Sequence, residues 1–113
     1  MAGETKEFFE KFKNDSAKMN GLIPEAVGGF MGMFSKIMKD GALGLKEKEL
    51  VALGIAVAQP CTPCIRLHVQ KCLAAGATKE QILEAASVAM MMGGGPAFTH
   101  IPVVMETLEA LEI

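Results

Sequence analysis

The chain has no tryptophan or tyrosine, and only three cysteines and five prolines among its 113 residues. Runs of β-branched residues are also scarce, whereas alanine, leucine, glutamate, lysine and nine methionines are plentiful, a mixture that favours helices over strands. We therefore expect an all-α fold. Half of the chain is apolar, which is more than a small monomer easily buries, so we also expect it to be oligomeric.

The sequence also has neither a large excess of one charge nor a long apolar run. The formal net charge is -2, with acidic and basic residues interspersed, which disfavours a nucleic-acid partner. No stretch approaches the roughly 20 apolar residues of a membrane span, and the opening residues 1–6 are polar with no apolar signal core behind them. We expect a cytoplasmic protein with no membrane partner.

Apolar periodicity predicts about six helices in a single domain spanning residues 1–113, with N-terminal helices within 4–39 and a core within about 45–111. The third, fourth and fifth helices are the most apolar, and their short connections favour antiparallel neighbours that form the core. The predicted helices run from Glu4 to about Met19, Pro24 to about Lys39, Leu45 to Ala58, Cys61 to Gly76, Thr78 to about Met92, and Thr99 or His100 to Ala110.

The most informative motif is Cys61-Thr62-Pro63-Cys64, followed four residues later by His68. At about 100° per residue, the two thiols and the imidazole fall within an arc of about 60° on one helix. An opening helical turn stabilises a thiolate, and the CXXC spacing permits a disulfide at small cost in backbone movement. The motif predicts a dithiol redox centre, with a metal site or an incidental buried pair as alternatives.

The identity of the attacking thiol depends on two opposed effects. Position in the turn favours Cys61, whereas proximity to a base favours Cys64, which precedes His68 by one turn. We prefer Cys64 as the attacking thiol and Cys61 as the resolving thiol. Antiparallel folding of the third and fourth helices places Glu49 within one turn of His68, where a carboxylate would hold the imidazole tautomer. The alternative is that Glu49 belongs to a solvated charge run, and Glu47, which faces elsewhere, is the negative control.

These positions together resemble a known family. Glu49, eleven intervening residues, the CXXC motif, three more residues and His68 are similar to the signature of the alkyl hydroperoxidase D-like branch of the carboxymuconolactone decarboxylase family. The resemblance implies a helical domain with the CXXC site on a helical hairpin, assembled as a homotrimer or homohexamer. It also implies that Cys64 attacks, Cys61 resolves, and Glu49 and His68 relay a proton.

The same resemblance implies a hydroperoxide or disulfide substrate, a thiol/disulfide reductant protein as partner, peroxiredoxin activity and no cofactor. Pro63 departs from members that carry a histidine just before the second cysteine, which leaves a disulfide reductase or a sensor open beside a peroxidase. Two other functions stay open: a decarboxylase or lyase acting on a small carboxylactone-type acid through His68 and Glu49, and a metal-binding module. We expect no metal, because a structural zinc site usually has a second ligand pair.

Three further features have plain structural explanations. Cys72 lies about 12 Å along the helix from Cys64, too far to pair with it, and is expected to be a buried bystander. His100 is expected to be a capping or interface residue. The run of glycines at 93–95 is expected to allow close helix packing, and the methionines at 90–92 to lie in the core or a subunit interface.

Overall fold

The computed structural model describes residues 2–111 and is all-helical over that range, as expected. The predicted domain bounds of 1–113 include Met1, Glu112 and Ile113, which lie outside the described residues, so these bounds stay a prediction. In residues 2–111 there are seven helices: α1 (Ala2–Leu22), α2 (Pro24–Met38), α3 (Leu45–Ala58), α4 (Thr62–Ala74), α5 (Lys79–Gly93), α6 (Gly95–Phe98) and α7 (Ile101–Ala110). No helix in this part of the chain has the length and apolar character needed to cross a membrane.

The capping signals of the sequence determine where the central helices begin. The Thr78 hydroxyl accepts the Gln81 N–H at 3.1 Å, and the Gln81 side chain accepts the Thr78 N–H at 3.0 Å, so the two residues form a capping box at the start of α5. The start of α4 differs by one residue from the prediction. Cys61 is the N-cap, with extended backbone, rather than the first helical residue.

The run of glycines at 93–95 ends α5 and begins one more short helix, α6. Gly94 adopts φ +71°, a conformation that residues with a Cβ rarely take. A Cβ on Gly93 would lie 2.8 Å from the Ala97 Cβ and 3.3 Å from the Ala58 Cα, so close packing does require glycine at that position.

The core lies where the sequence predicts it, between α3, α4 and α5, with α6 and α7 closing one side. Leu53, Ile65 and Ile82 contribute one fully buried side chain from each of the three central helices. Because α3 and α4 pack against each other as a hairpin within this core, the side chains that they present are held by burial on several sides.

The arm, which we define as α1 and α2 (residues 2–38), is packed quite differently. The apolar residues of α2 recur at helical spacing and form a stripe, yet no residue of α2 is buried in the single chain. Phe30 and Ile37 remain more than half exposed. Met91 and Met92 are also exposed, so the alternative that they belong to the core is wrong, whereas their place in a subunit interface stays a prediction.

Candidate active site

The hairpin of α3 and α4 brings a carboxylate and an imidazole together. Oε1 of Glu49 lies 2.7 Å from Nδ1 of His68. Only 4% of the Glu49 side chain and 19% of the His68 side chain are exposed. Because a carboxylate oxygen can only accept, the contact assigns the ring proton to Nδ1 and leaves the lone pair of Nε2 available.

The Glu47 side chain provides the contrast that the sequence predicts. It is 49% exposed and its nearest cation, the Lys46 ammonium, lies 3.9 Å away. The interpretation of a solvated charge run therefore fits Glu47 but does not fit Glu49. Burial of one face of α3 separates two carboxylates only two residues apart.

The two cysteines of the motif form a disulfide across the first turn of α4, with their Cα atoms 5.3 Å apart. The Cys61 sulfur is the N-cap of the helix and accepts the backbone N–H of Cys64 at 3.3 Å. Pro63 occupies the first turn, where a backbone N–H would have no intrahelical acceptor. The N-terminal N–H groups and the positive end of the helix dipole thus face the sulfur of Cys61.

A cavity of about 600 Å³ lies between the arm and α4, and Cys64 and His68 are part of its wall. The Phe34 ring of α2 stacks near the imidazole of His68, with ring centroids 6.5 Å apart. The cavity wall is mostly apolar, and α4 also contributes Leu67 and Lys71 to it. Of the two cysteines in the disulfide, Cys64 lines the cavity together with His68, and Cys61 does not.

The third cysteine is outside this arrangement. Cys72 is a free, fully buried cysteine within the described chain, as expected for a structural residue. Burial, and secondarily the negative charge of Glu49, raises the pKa of the Cys72 thiol to about 12. A thiol that stays protonated at neutral pH is neither a nucleophile nor a ready metal ligand.

The second histidine of the chain, His100, lies at the start of α7. His100 is the N-cap of α7, and its Nδ1 donates to the Pro96 carbonyl at 2.7 Å, which is a local structural role. Within residues 2–111, no three histidine, cysteine, aspartate or glutamate side chains are grouped so as to hold a metal ion.

Three residues around the site were not identified from the sequence. Phe34 and Lys71 line the cavity, and the Lys71 ammonium lies 4.6 Å from the centroid of the Phe34 ring. Lys48 donates from Nζ to the carbonyls of Ile37 and Lys39, at 2.7 and 2.8 Å, and so ties the end of α2 to α3. The position of Lys71 on the Cys64 stripe, seven residues on, is the one sequence signal that was available.

The fold and the site define a small all-helical protein whose helical hairpin carries a CXXC disulfide beside a histidine–glutamate pair. The model of the carboxymuconolactone decarboxylase family matches residues 24–102, more than half of the chain. The chain therefore belongs to the carboxymuconolactone decarboxylase family, as the sequence motif indicated.

Individual relatives and solved structures are consistent with this membership. An uncharacterized protein of Cupriavidus necator is 33% identical over 88 residues, which cover 78% of each chain. A crystal structure of a carboxymuconolactone decarboxylase family protein from Legionella pneumophila has a TM-score of 0.85 and 37% identity, and covers 96% of this chain and 95% of that one.

A family member from Thermotoga maritima, described as a candidate for involvement in the antioxidative response, has a TM-score of 0.80 and 30% identity. That similarity covers 93% of this chain and 89% of the other.

Proposed function

We propose that this protein is a thiol-dependent antioxidant oxidoreductase that reduces a hydroperoxide, or a partner's disulfide, by cycling Cys61 and Cys64 between dithiol and disulfide. One observation carries the proposal: Cys64 shares the wall of a single cavity with His68, whose Nδ1 is held by Glu49. The arrangement follows the logic of nucleophile, base and orienting carboxylate. The description of the Thermotoga maritima relative supports the same antioxidant assignment.

In the proposed peroxidase cycle, Nε2 of His68 takes the proton of the Cys64 thiol. The thiolate attacks the terminal oxygen of the hydroperoxide, the O–O bond breaks, and the alcohol leaves with the proton returned by the imidazolium. Cys64 is thereby oxidised by two electrons to a sulfenic acid. Cys61 then attacks that sulfur as a thiolate, water is released after protonation of the hydroxide, and the disulfide forms.

The disulfide is reset by a thiol/disulfide reductant protein that contributes two thiols and two electrons. Its thiolate attacks the Cys64 sulfur, and Cys61 leaves as a thiolate. The N-cap position of Cys61 supports this role, because helix N–H groups stabilise the departing anion. Reduction of a partner's disulfide is this exchange run in the opposite direction.

Trapping of free thiols tests the proposed cycle. After reduction and exposure to dilute peroxide, the wild type is expected to lose two thiols per chain, whereas Cys61→Ser is expected to form no intramolecular disulfide. The Cys64→Ser variant should lose at least about a hundredfold in peroxide or disulfide turnover, since the remaining thiol lies farther from the base. Full activity of Cys64→Ser would show that Cys64 is not the attacking thiol. Activity that survives replacement of both cysteines by serine would favour the decarboxylase or lyase alternative.

We also propose that the functional unit is a homotrimer or homohexamer. An exposed apolar face on α3 and α5 supports the proposal. Its members are all more than half exposed in the single chain: Val51, Ile55, Val88 and Met92. Exposed apolar patches of this kind are typical of subunit interfaces. Light scattering should give three or six times the chain mass for the wild type, and a smaller unit for Val88→Lys. A monomeric wild type would contradict the proposal.

A further inference from the structure

The cavity beside Cys64 has a shape and chemistry that suit one class of substrate. Its volume of about 600 Å³ is in the range of about 300–1,000 Å³ that is typical of small-molecule sites. Aromatic and aliphatic side chains of the arm form most of its wall, among them Phe12, Met19, Ile23, Val27, Phe30 and Met31. Hydrogen peroxide has no apolar surface that such a wall would bind.

Apart from Ser16 of α1, the polar side chains of the cavity wall lie on one stripe of α4. Cys64, His68 and Lys71 follow each other at intervals of four and three residues, so they share one face of the helix. Lys71 is the one lysine or arginine among the described residues that line the cavity, and it forms no recorded ion pair within residues 2–111. Its stacking on Phe34 holds the ammonium at the cavity wall.

The spacing along this stripe connects the reacting thiol to a cation. Cys64 and Lys71 are two turns apart, about 10 Å along the helix axis, a distance that an extended chain of about eight carbon–carbon bonds spans. A carboxylate near Lys71 would thus place a hydroperoxide some eight carbons along its chain beside Cys64. The remaining apolar tail would extend between the helices of the arm.

We propose that the cavity binds a long-chain fatty-acid hydroperoxide, with its carboxylate at Lys71, its hydroperoxide at Cys64 and its tail against the arm. This inference rests on the proposed peroxidase cycle and specifies its substrate class. Cys64 takes one oxygen from the hydroperoxide, which leaves as the hydroxy fatty acid, and Cys61 then closes the disulfide with release of water. The two electrons come from the cysteine pair and are replaced by the dithiol reductant.

The first test uses the wild-type protein and varies the substrate. Second-order rates of disulfide formation in the reduced protein are measured by rapid quenching and thiol trapping. The probes are hydrogen peroxide, tert-butyl hydroperoxide, 9-hydroperoxyoctadecadienoic acid and its methyl ester. Each methylene removed from water contributes up to about a fourfold gain, so the long-chain acid should react at least about tenfold faster than tert-butyl hydroperoxide. The ester should react about two- to fivefold more slowly than the acid, which is the range expected for loss of a partly exposed ion pair.

The second test varies the protein. Lys71→Met should lower the rate with the acid by the same factor that separates the rates of acid and ester, and should leave the rate with the ester unchanged. The reason is that the substitution and the esterification remove the same interaction. Lys36→Met, on the exposed side of α2, is the control. Met31→Lys, inside the cavity wall, should reduce the rate with the long-chain acid at least about tenfold, whereas Met33→Lys, on the same helix and similarly exposed, should not.

A binding measurement separates the cavity from the chemistry. The redox-inactive 9-hydroxyoctadecadienoic acid should bind the oxidised wild type in equilibrium dialysis, and more weakly the Met31→Lys variant. Equal rates for all four hydroperoxides, with no binding of the hydroxy acid, would overturn the substrate class and leave the peroxidase cycle standing. A Cys64 that no hydroperoxide oxidises faster than free cysteine would instead overturn the proposed function itself.

Discussion

The α3–α4 hairpin and the α1–α2 arm have similar numbers of apolar residues but very different packing. The hairpin buries Leu53 and Ile65 completely, while the arm's second helix buries none of its residues. The proposed redox chemistry depends on sub-ångström placement of its groups, and the hairpin provides such placement where packing holds Glu49 against His68. The arm instead contributes an apolar wall, for which placement within a few ångströms suffices. In the proposed function, the hairpin would supply the catalytic geometry and the arm would select the substrate.

The largest expected contrast is in stability. Leu53→Ala leaves a cavity in the hairpin core and should lower the free energy of unfolding by about 2–5 kcal/mol. Phe30→Ala removes a larger side chain from the arm, yet should cost less than about 1 kcal/mol in the separated chain, since the ring is 59% exposed there.

Denaturant titration of both variants at low protein concentration measures this difference, with the oligomeric state checked in parallel. Equal losses for the two substitutions would mean that the arm is as tightly packed as the hairpin in solution. The assignment of the two regions to separate roles would then fail.

The next contrast lies within the hairpin, between its two neighbouring carboxylates. Glu49→Gln removes the charge that orients the Nδ1–H of His68, and should slow oxidation of Cys64 by about 10- to 100-fold. Glu47→Gln, in the solvated position, should change the rate by less than about twofold.

A positioning role for Glu49 requires more than a slower rate. The pH profile of Cys64 alkylation in the reduced protein should change shape in Glu49→Gln and remain that of the wild type in Glu47→Gln. A uniform decrease in rate with an unchanged profile would reduce Glu49 to a structural residue.

The buried thiol of the hairpin gives a smaller, pH-dependent contrast. Burial raises the pKa of the Cys72 thiol from its ordinary value of 9.0 to about 12. As the pH rises, this thiol therefore ionises in the unfolded chain before it ionises in the folded one. The stabilising contribution is complete below pH 9 and is lost between pH 9 and about 12.

Replacement by alanine removes that pH dependence. At pH 10, the wild type should have lost about 1 kcal/mol of unfolding free energy more than Cys72→Ala, relative to pH 8. Parallel curves of unfolding free energy against pH for the two proteins would mean that the pKa of Cys72 is not raised in the folded state. Peroxide turnover at pH 7 should be the same in both.

The geometry of the hairpin could be predicted from the sequence, whereas for the arm the two helices could be predicted but their placement against α4 could not, for a physical reason. The motif of Cys61, Cys64 and His68 depends on helical periodicity, which is local, and the approach of Glu49 depends only on a short antiparallel connection. The cavity depends on where α1 and α2 pack, and their apolar stripes fit many placements equally well. The stacking of Phe34 on His68 therefore had no signal in the local pattern, and the exposed stripe of α2 was visible only once its position was known.

The smallest expected effect is at the junction of the two regions. Lys48 lies beside Glu49 in α3, and its ammonium donates to the Ile37 and Lys39 carbonyls at the end of α2. Lys48→Met removes both hydrogen bonds and should lower the free energy of unfolding by less than about 1 kcal/mol, because the freed carbonyls can bind water.

Hydrogen exchange resolves what global stability barely detects. In Lys48→Met, amides of the last two turns of α2 should exchange about three- to tenfold faster, while α3 and α4 keep wild-type protection. Lys46→Met, which removes only the 3.9 Å pair with Glu47, should leave both regions unchanged. If exchange accelerates equally in α2 and α3, the arm and the hairpin open together. Substrate selection by the arm would then be inseparable from the geometry that activates Cys64.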